Sequence, residues 1–170
     1  MTAIVKPDRG YEAEIAHKKS FVLLLAGILA MTVGIGAMAG GIFGAWYTWD
    51  QAVAQDVVTP DDAAIPETPV RGPFTMWAQA DIITHHQLDN TEGLYYSQMD
   101  REVPAVDENG EALMVPNEAR ASWFNATTLT TALSLGIISY ALAAFAFVTG
   151  LTLAVVGFVF FQIRRKAVLL

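Results

Sequence analysis

Residues 21–44 read FVLLLAGILAMTVGIGAMAGGIFG, an unbroken run of 24 residues without a charged side chain. As an α-helix this run would measure about 36 Å, which exceeds the hydrocarbon core of a bilayer, about 30 Å thick. Trp46 and Trp49 follow it, and such amphipathic rings settle at the boundary between headgroups and hydrocarbon. The run therefore predicts a membrane-crossing helix over 20–47, with Ser20 as its N-cap.

The same run has a competing interpretation as the apolar core of a signal peptide. Ala52-Val53-Ala54 has the small-x-small shape of a cleavage site. The run, however, is about twice as long as a normal signal-peptide core. We therefore expect it to be retained as a helix.

A second uncharged block occupies 121–163. Pro116-Asn117-Glu118 ahead of it offers an N-cap and an acidic first turn, and no proline follows, so this helix can continue to Arg164. Its first part is rich in Ser, Thr and Asn, so we place the membrane portion at 129–163. The expected fold class is mainly α: a hairpin of two transmembrane helices with a small, mostly helical or irregular outer segment.

Charge predicts the orientation, because Lys and Arg are retained on the cytoplasmic side of membranes. Seven of the ten basic residues flank the two blocks: Lys6, Arg9, Lys18, Lys19, Arg164, Arg165 and Lys166. Segment 48–128 holds 14 of the 17 acidic residues and three arginines, a formal charge of -11. We expect the tails 1–19 and 164–170 to be cytoplasmic and 48–128 to lie outside a bacterial plasma membrane.

The outer segment divides into four predicted parts. Prolines make 51–72 an irregular strap, and a helix is expected over 73–88, stopped by Asn90 and Gly93. A short helix is predicted within 94–101. Two short apolar runs, 103–106 and 112–115, flank Asp107-Glu108-Asn109-Gly110-Glu111, and Asn-Gly is a strong turn signal, so a small β-hairpin should follow.

Two sets of residues are candidates for contact with other helices or subunits. Gly36, Gly40 and Gly44 recur every four residues, which places them on one helix face where another backbone can approach. Gly34 and Gly41 widen this smooth face, and the partner is either the second span or another protein. Phe74 and Trp77, on the predicted outer helix, are expected to be buried against an outer partner.

Metal binding is the weaker interpretation of the outer helix. Asp81, His85 and Asp89 are spaced four residues apart, and carboxylate with imidazole can bind a divalent cation. The spacing does not identify the remaining ligands of a closed site. We therefore predict no metal site here, and solvated or hydrogen-bonded side chains instead.

Several function classes are disfavoured by composition. There is no cysteine, so disulfides, thiolate metal sites and cysteine nucleophiles are absent, and a net charge of -7 argues against nucleic-acid binding. Neither span contains Asp, Glu, His, Lys or Arg, whereas proton relays and haem ligation in a bilayer normally need one of these residues. No catalytic constellation or phosphate-binding glycine loop is visible. We predict a protein that is not an enzyme and has no cofactor.

Two stretches carry a resemblance: 72–86, GPFTMWAQADIITHH, and 91–102, TEGLYYSQMDRE. Over about 72–161 the chain resembles small actinobacterial membrane proteins with two spans and an outer loop, many labelled aromatic ring-opening dioxygenase. An extradiol iron site needs two histidines and a carboxylate with open positions. The only outer histidines are the adjacent His85 and His86, so no catalytic role is carried over.

The resemblance also indicates a setting, because the actinobacterial cytochrome bcc–aa3 respiratory supercomplex has small accessory subunits of this type. We expect a non-catalytic accessory subunit that contacts integral membrane subunits and lipids. Alternatives are a membrane-tethered metal- or ligand-binding module and an assembly factor. The acidic outer segment could also attract a basic electron carrier.

Overall fold

The computed structural model describes the backbone of residues 9–168. Within them the elements are α1 (Arg9–Ala54), α2 (Pro73–Asn90), a 3-10 turn (Tyr96–Gln98), β1 (Glu102–Val106), β2 (Ala112–Pro116) and α3 (Glu118–Val168). The chain is mainly helical with one small sheet, as predicted. Stretches of α1 and α3, His17–Ala54 and Glu118–Lys166, are long and apolar enough to cross a membrane.

The chain forms two compact units. The first contains α1 up to Gly44 and α3 from Leu142, and the second is Ala45–Ala141. Each unit has its own packing.

The first unit is an antiparallel helix pair built on small residues. Gly27, Gly34 and Gly41 of α1 are buried at seven-residue intervals, and they face Gly157, Gly150 and Ala143 of α3, which share that spacing. A seven-residue repeat keeps one stripe of each helix facing its neighbour, as in left-handed helix pairs. Small residues on both helices let the backbones approach closely.

The first helix begins earlier than predicted. Ser20 is not its N-cap, because α1 starts at Arg9 and Ser20 lies inside it. The extension is charged but helical, and Lys18 and Glu14 form an i,i+4 ion pair of 2.7 Å that supports it. The Ser20 hydroxyl instead accepts a hydrogen bond of 3.3 Å from Arg164 Nε of α3.

In the second unit α2 packs on the first part of α3. Its buried residues are Met76, Ala78, Ile82 and Gln87. Met76 Sδ fills the space beside Gly136, where an added Cβ would lie only 2.6 Å from the sulfur. The Gln87 side chain donates a hydrogen bond of 2.6 Å to Ser122 Oγ, which pairs a buried amide.

The boundaries of α2 follow the sequence signals. Pro73 opens the helix, and the Thr75 hydroxyl accepts a hydrogen bond of 3.1 Å from the Gly72 N–H. The helix ends at Asn90, and Gly93, at φ +80°, donates its N–H to Leu88 O at 2.8 Å. A left-handed glycine just past a helix end is a common stop.

The strap is irregular, as predicted, but it is internally bonded. A single antiparallel bridge joins Val58 to Pro69. The buried Thr59 hydroxyl donates to Ile65 O at 2.6 Å and accepts the Thr68 N–H at 2.9 Å. One side chain thus closes the loop between the two bridge residues.

The predicted β-hairpin is confirmed. β1 and β2 pair antiparallel from Glu102↔Pro116 to Val106↔Ala112. Gly110 has φ +83°, and its N–H donates to Asp107 O at 3.0 Å, so the Asn-Gly pair makes the turn. The helix expected within 94–101 is shorter than predicted, a single 3-10 turn.

Candidate functional site

The predicted glycine face divides between two sides of α1. Gly36 and Gly40 are exposed, and a Cβ added to either would meet nothing within 4 Å among the described residues. Gly44 lies at the edge of the helix pair, where a Cβ would be 3.7 Å from Ala143 Cβ. Contact of Gly36 and Gly40 with the second span is therefore not what the structure shows, and their contact with another protein stays a prediction.

Of the three α1 glycines that contact α3, Gly34 and Gly41 were expected only to widen the predicted glycine face, and Gly27 was not predicted. Gly27, Gly34 and Gly41 are spaced by seven, which is less conspicuous than a four-residue repeat. The signal lies in the comparison of both helices, because Gly150 and Gly157 of α3 repeat at the same interval. Matching periods on two helices would have identified the seam.

An outward apolar surface surrounds Gly36 and Gly40. One helical turn along α1 from Gly36 lies Val33, and a further turn away lies Leu29, both exposed. Around the helix this surface lies roughly opposite Gly27. It is smooth at its centre and apolar at its edge, which suits close approach of another helix in lipid.

α2 presents two exposed aromatic rings. Phe74 is 77% exposed and Trp77 is 53% exposed. The two residues on either side of Trp77 in the sequence, Met76 and Ala78, are buried. Met76 and Gln87 of α2 contact α3, whereas the two rings are exposed. Exposed large aromatic residues are typical anchors of protein interfaces, so their predicted role in contact stays open to test.

The residues considered for metal binding do not converge. The His85 Nδ1 atom lies 3.0 Å from Asp81 O and 3.4 Å from Asp81 Oδ2 within one helical turn. Over residues 9–168, no group of three or more His, Cys, Asp or Glu side chains is arranged to hold a metal. Asp89 does not complete a site with this pair.

His86 has a different partner from its neighbour. Its Nε2 atom lies 2.6 Å from Asp62 Oδ2, which joins α2 to the strap. The hydrogen bond with His86 lowers the pKa of the Asp62 carboxyl. Both side chains are about half exposed, so this contact is a surface link between two elements rather than a reactive site.

An aromatic cluster holds the chain after α2 onto α3. Trp123 is buried, and its indole N–H donates to Leu94 O at 3.0 Å. Tyr95 stacks on the Trp123 ring with centroids 5.4 Å apart, and the Arg120 guanidinium lies 3.8 Å from the centre of the Tyr96 ring. Sequence analysis missed this cluster, because nothing local in the sequence pairs residues 94–96 with a helix that begins after the hairpin.

No protein-family model matches this sequence, and searches of curated proteins and of solved structures found no match either. The resemblance to actinobacterial two-span proteins therefore stays a prediction.

Proposed function

We propose that this chain is a non-catalytic accessory subunit of a bacterial membrane complex, anchored by α1 and α3. The observation that carries the proposal is the exposure of its apolar residues. In the most apolar 18-residue stretch of α1, only 11% is buried within the chain, and in that of α3 only 17% is buried. A helix hydrophobic all round needs lipid or other protein around it, so most of this surface requires an environment that the chain alone does not supply.

The packing of α1 supports its retention as a membrane helix. A core helix of a soluble protein would be mostly buried, and α1 is not. A cleaved signal peptide would need no shaped counterpart in the rest of the chain. Gly27 and Gly34 instead match Gly157 and Gly150 of α3 along one seam.

The outward face of α1 is the proposed docking surface within the membrane. Helix association in lipid depends on close packing, since lipid tails are as apolar as leucine. Gly36 and Gly40 offer such packing on the side of α1 not used by α3. Phe74 and Trp77 supply the corresponding contact in the outer segment.

The charges support an orientation with both tails in the cytoplasm. Basic residues flank both apolar helices, and the segment between them has a formal charge of -11. In this orientation α2 and the hairpin lie outside and cover the outer face of the partner. The actinobacterial cytochrome bcc–aa3 supercomplex is the specific complex that we put forward, on the resemblance alone.

We propose no catalytic role, because the polar side chains make structural contacts. Gln87 pairs with Ser122, His86 with Asp62, and the Trp123 indole with a backbone carbonyl. These contacts join one element to another. A subunit of this kind stabilises an assembly and shields its surface.

Purification from native membranes tests this proposal. Membranes are solubilised in a mild detergent, the chain is recovered through a C-terminal tag, and its companions are quantified by mass spectrometry. We expect integral membrane subunits at one-to-one stoichiometry, including haem proteins if the complex is respiratory. Recovery of this chain alone in folded form would contradict the proposal, and substoichiometric amounts in the purified complex would indicate an assembly factor.

A further inference from the structure

The helix pair brings the basic residues of two distant sequence segments to one end. Arg164 Nε donates a hydrogen bond of 3.3 Å to Ser20 Oγ, so the residues around Ser20 lie beside those around Arg164. Residues 14–20 and 162–166 contain five cations and one acid. The cations are Lys18, Lys19, Arg164, Arg165 and Lys166.

This end of the helix pair has more cations than acidic partners. Lys18 is paired with Glu14 at 2.7 Å. Among the described residues, Lys19, Arg165 and Lys166 have no acidic partner, and all three side chains are exposed. Five cations and one acid leave this end with a net charge of +4, and these cations repel each other unless further anions lie among them.

The hydrogen bond to Ser20 fixes the position of the Arg164 guanidinium. Retention of cations in the cytoplasm and favourable charge at a helix C-terminus account for basic residues here. Neither effect requires a hydrogen bond that fixes one guanidinium across the helix pair. Because the bond to Ser20 uses Nε, the two terminal amino groups of Arg164 are left to bind another acceptor.

Apolar surface adjoins the basic end. Phe21 follows Ser20 and is 54% exposed, and Ile163 precedes Arg164 and is 47% exposed. A ligand that covers both surfaces has an anionic headgroup and apolar chains. A free phosphate ion would use only the first.

We propose that Arg164, held by Ser20, forms with Arg165 and the neighbouring lysines a binding site for the phosphate headgroup of an anionic phospholipid. The inference rests on the proposed insertion of α1 and α3 in a membrane. The acyl chains lie along Phe21 and Ile163 toward the interior of the bilayer. Basic pockets between membrane helices bind such headgroups in other proteins.

The test measures lipid binding by the purified full-length chain. The chain is placed in phosphatidylcholine nanodiscs with increasing phosphatidylglycerol, and bound lipid is counted by native mass spectrometry. We expect retention of phosphatidylglycerol by the wild type, and an apparent affinity about 30-fold lower for the double variant Arg164→Gln/Arg165→Gln, as expected for two cations near a membrane surface. Ser20→Ala keeps every charge and should weaken binding about two- to fivefold.

The matched control is Arg71→Gln/Arg101→Gln, which removes two cations from the other unit and should bind as the wild type does. Equal loss in this control, or no loss in Arg164→Gln/Arg165→Gln, would overturn the site. Unchanged binding by Ser20→Ala would overturn the role of Ser20, and full competition by inorganic phosphate would overturn the assignment to lipid. If the double variant loses helical circular dichroism, Lys19→Gln/Lys166→Gln replaces it with the same expected direction.

Failure of this site and failure of the proposed function are separable. The subunit pull-down and the lipid measurement are both made on the wild-type chain. Companion subunits recovered with a wild-type chain that shows no preference for phosphatidylglycerol would overturn the lipid site and leave the accessory role intact. Lipid selectivity in a chain recovered alone would do the reverse.

Discussion

Gly34 shows how closely the two long helices approach at single residues. A Cβ on Gly34 would lie 2.6 Å from Gly150 O and 2.6 Å from Ala154 N. Both are backbone atoms of α3, which cannot turn aside as the end of a side chain can. Gly36, two residues further along α1, would meet nothing within 4 Å in the described part of the chain. The same substitution at these two positions therefore has different expected costs.

Gly34→Leu should destabilise the helix pair by about 1 to 3 kcal/mol, because the added side chain forces α1 and α3 apart. Gly36→Leu is the matched control and should change the stability of the isolated chain little. The measurement is unfolding in mixed detergent micelles, followed by circular dichroism. Equal destabilisation by both variants would contradict the seam described here.

Asp107 organises the hairpin turn by accepting hydrogen bonds from backbone N–H groups. Its carboxylate accepts those of Asn109 at 2.9 Å and Glu111 at 2.8 Å. The bond from Glu111 is the main cause of a lowered pKa at Asp107. A lowered pKa in the folded state means that the ionised form stabilises the turn.

The hairpin should therefore depend on pH in one direction. The contribution of Asp107 is fully present above the pKa of an unfolded aspartate, about 4, and is lost as the pH falls through its lower folded value. Hydrogen exchange of the Glu111 amide, corrected for the intrinsic pH dependence of exchange, should show less protection at pH 3 than at pH 6. Asp107→Ala should remove that difference, and a pH difference that persists in this variant would contradict the assignment.

At the scale of the elements, the start of α3 and the base of the hairpin meet at Asn117. The Asn117 side chain accepts the Arg120 N–H at 3.1 Å, as an N-cap does, and donates to Asp100 O at 3.0 Å. Its backbone N–H donates to Arg101 O at 3.0 Å. One residue thus fixes both the start of α3 and the base of the hairpin. The aromatic contacts of Trp123 continue this attachment nearly two turns further along α3.

Trp123→Phe should loosen the segment between α2 and the hairpin, because the indole hydrogen bond to Leu94 O is lost. The expected cost is about 1 kcal/mol, with faster amide exchange across residues 94–98. Trp77→Phe is the control, since Trp77 is half exposed, and it should leave exchange there unchanged. Equal exchange in the two variants would show that Trp123 does not hold this segment.

The sequence predicts where helices and strands lie better than it predicts which side of each helix is buried. The hairpin, the stop after Asn90 and the start of α3 at Glu118 each depend on local signals, and all three are in the structure. The start of α1 was missed because charged residues 9–19 continue the helix beyond the apolar run. Likewise, whether Gly34 or Gly36 contacts α3 depends on the side of α1 that α3 occupies. The sequence of α1 alone does not determine that side.

At the scale of the whole molecule, the two units have different chemistry. The helix pair is apolar with a basic end, and the second unit contains most of the acidic residues. This asymmetry is the basis for the proposed orientation. The absence of cysteine from the sequence makes a direct test simple, because one introduced thiol is the only reactive one.

Single cysteines should report opposite sides of the membrane. Glu108→Cys, in the hairpin loop, should react with a membrane-impermeant maleimide in intact cells. Lys166→Cys should react only after the membrane is permeabilised. Labelling of both in intact cells, or only of Lys166→Cys, would contradict the orientation.

The outward face of α1 is where the account can be tested most directly. The measurement is co-purification of partner subunits with tagged wild type, Gly40→Leu and Ile42→Phe. Ile42 is also exposed and lies about 160° around the helix from Gly40, so its variant enlarges a side chain on a different face. We predict that Gly40→Leu inserts in the membrane but loses its companions, whereas Ile42→Phe keeps them. Full recovery of the companions with Gly40→Leu would contradict docking through this face.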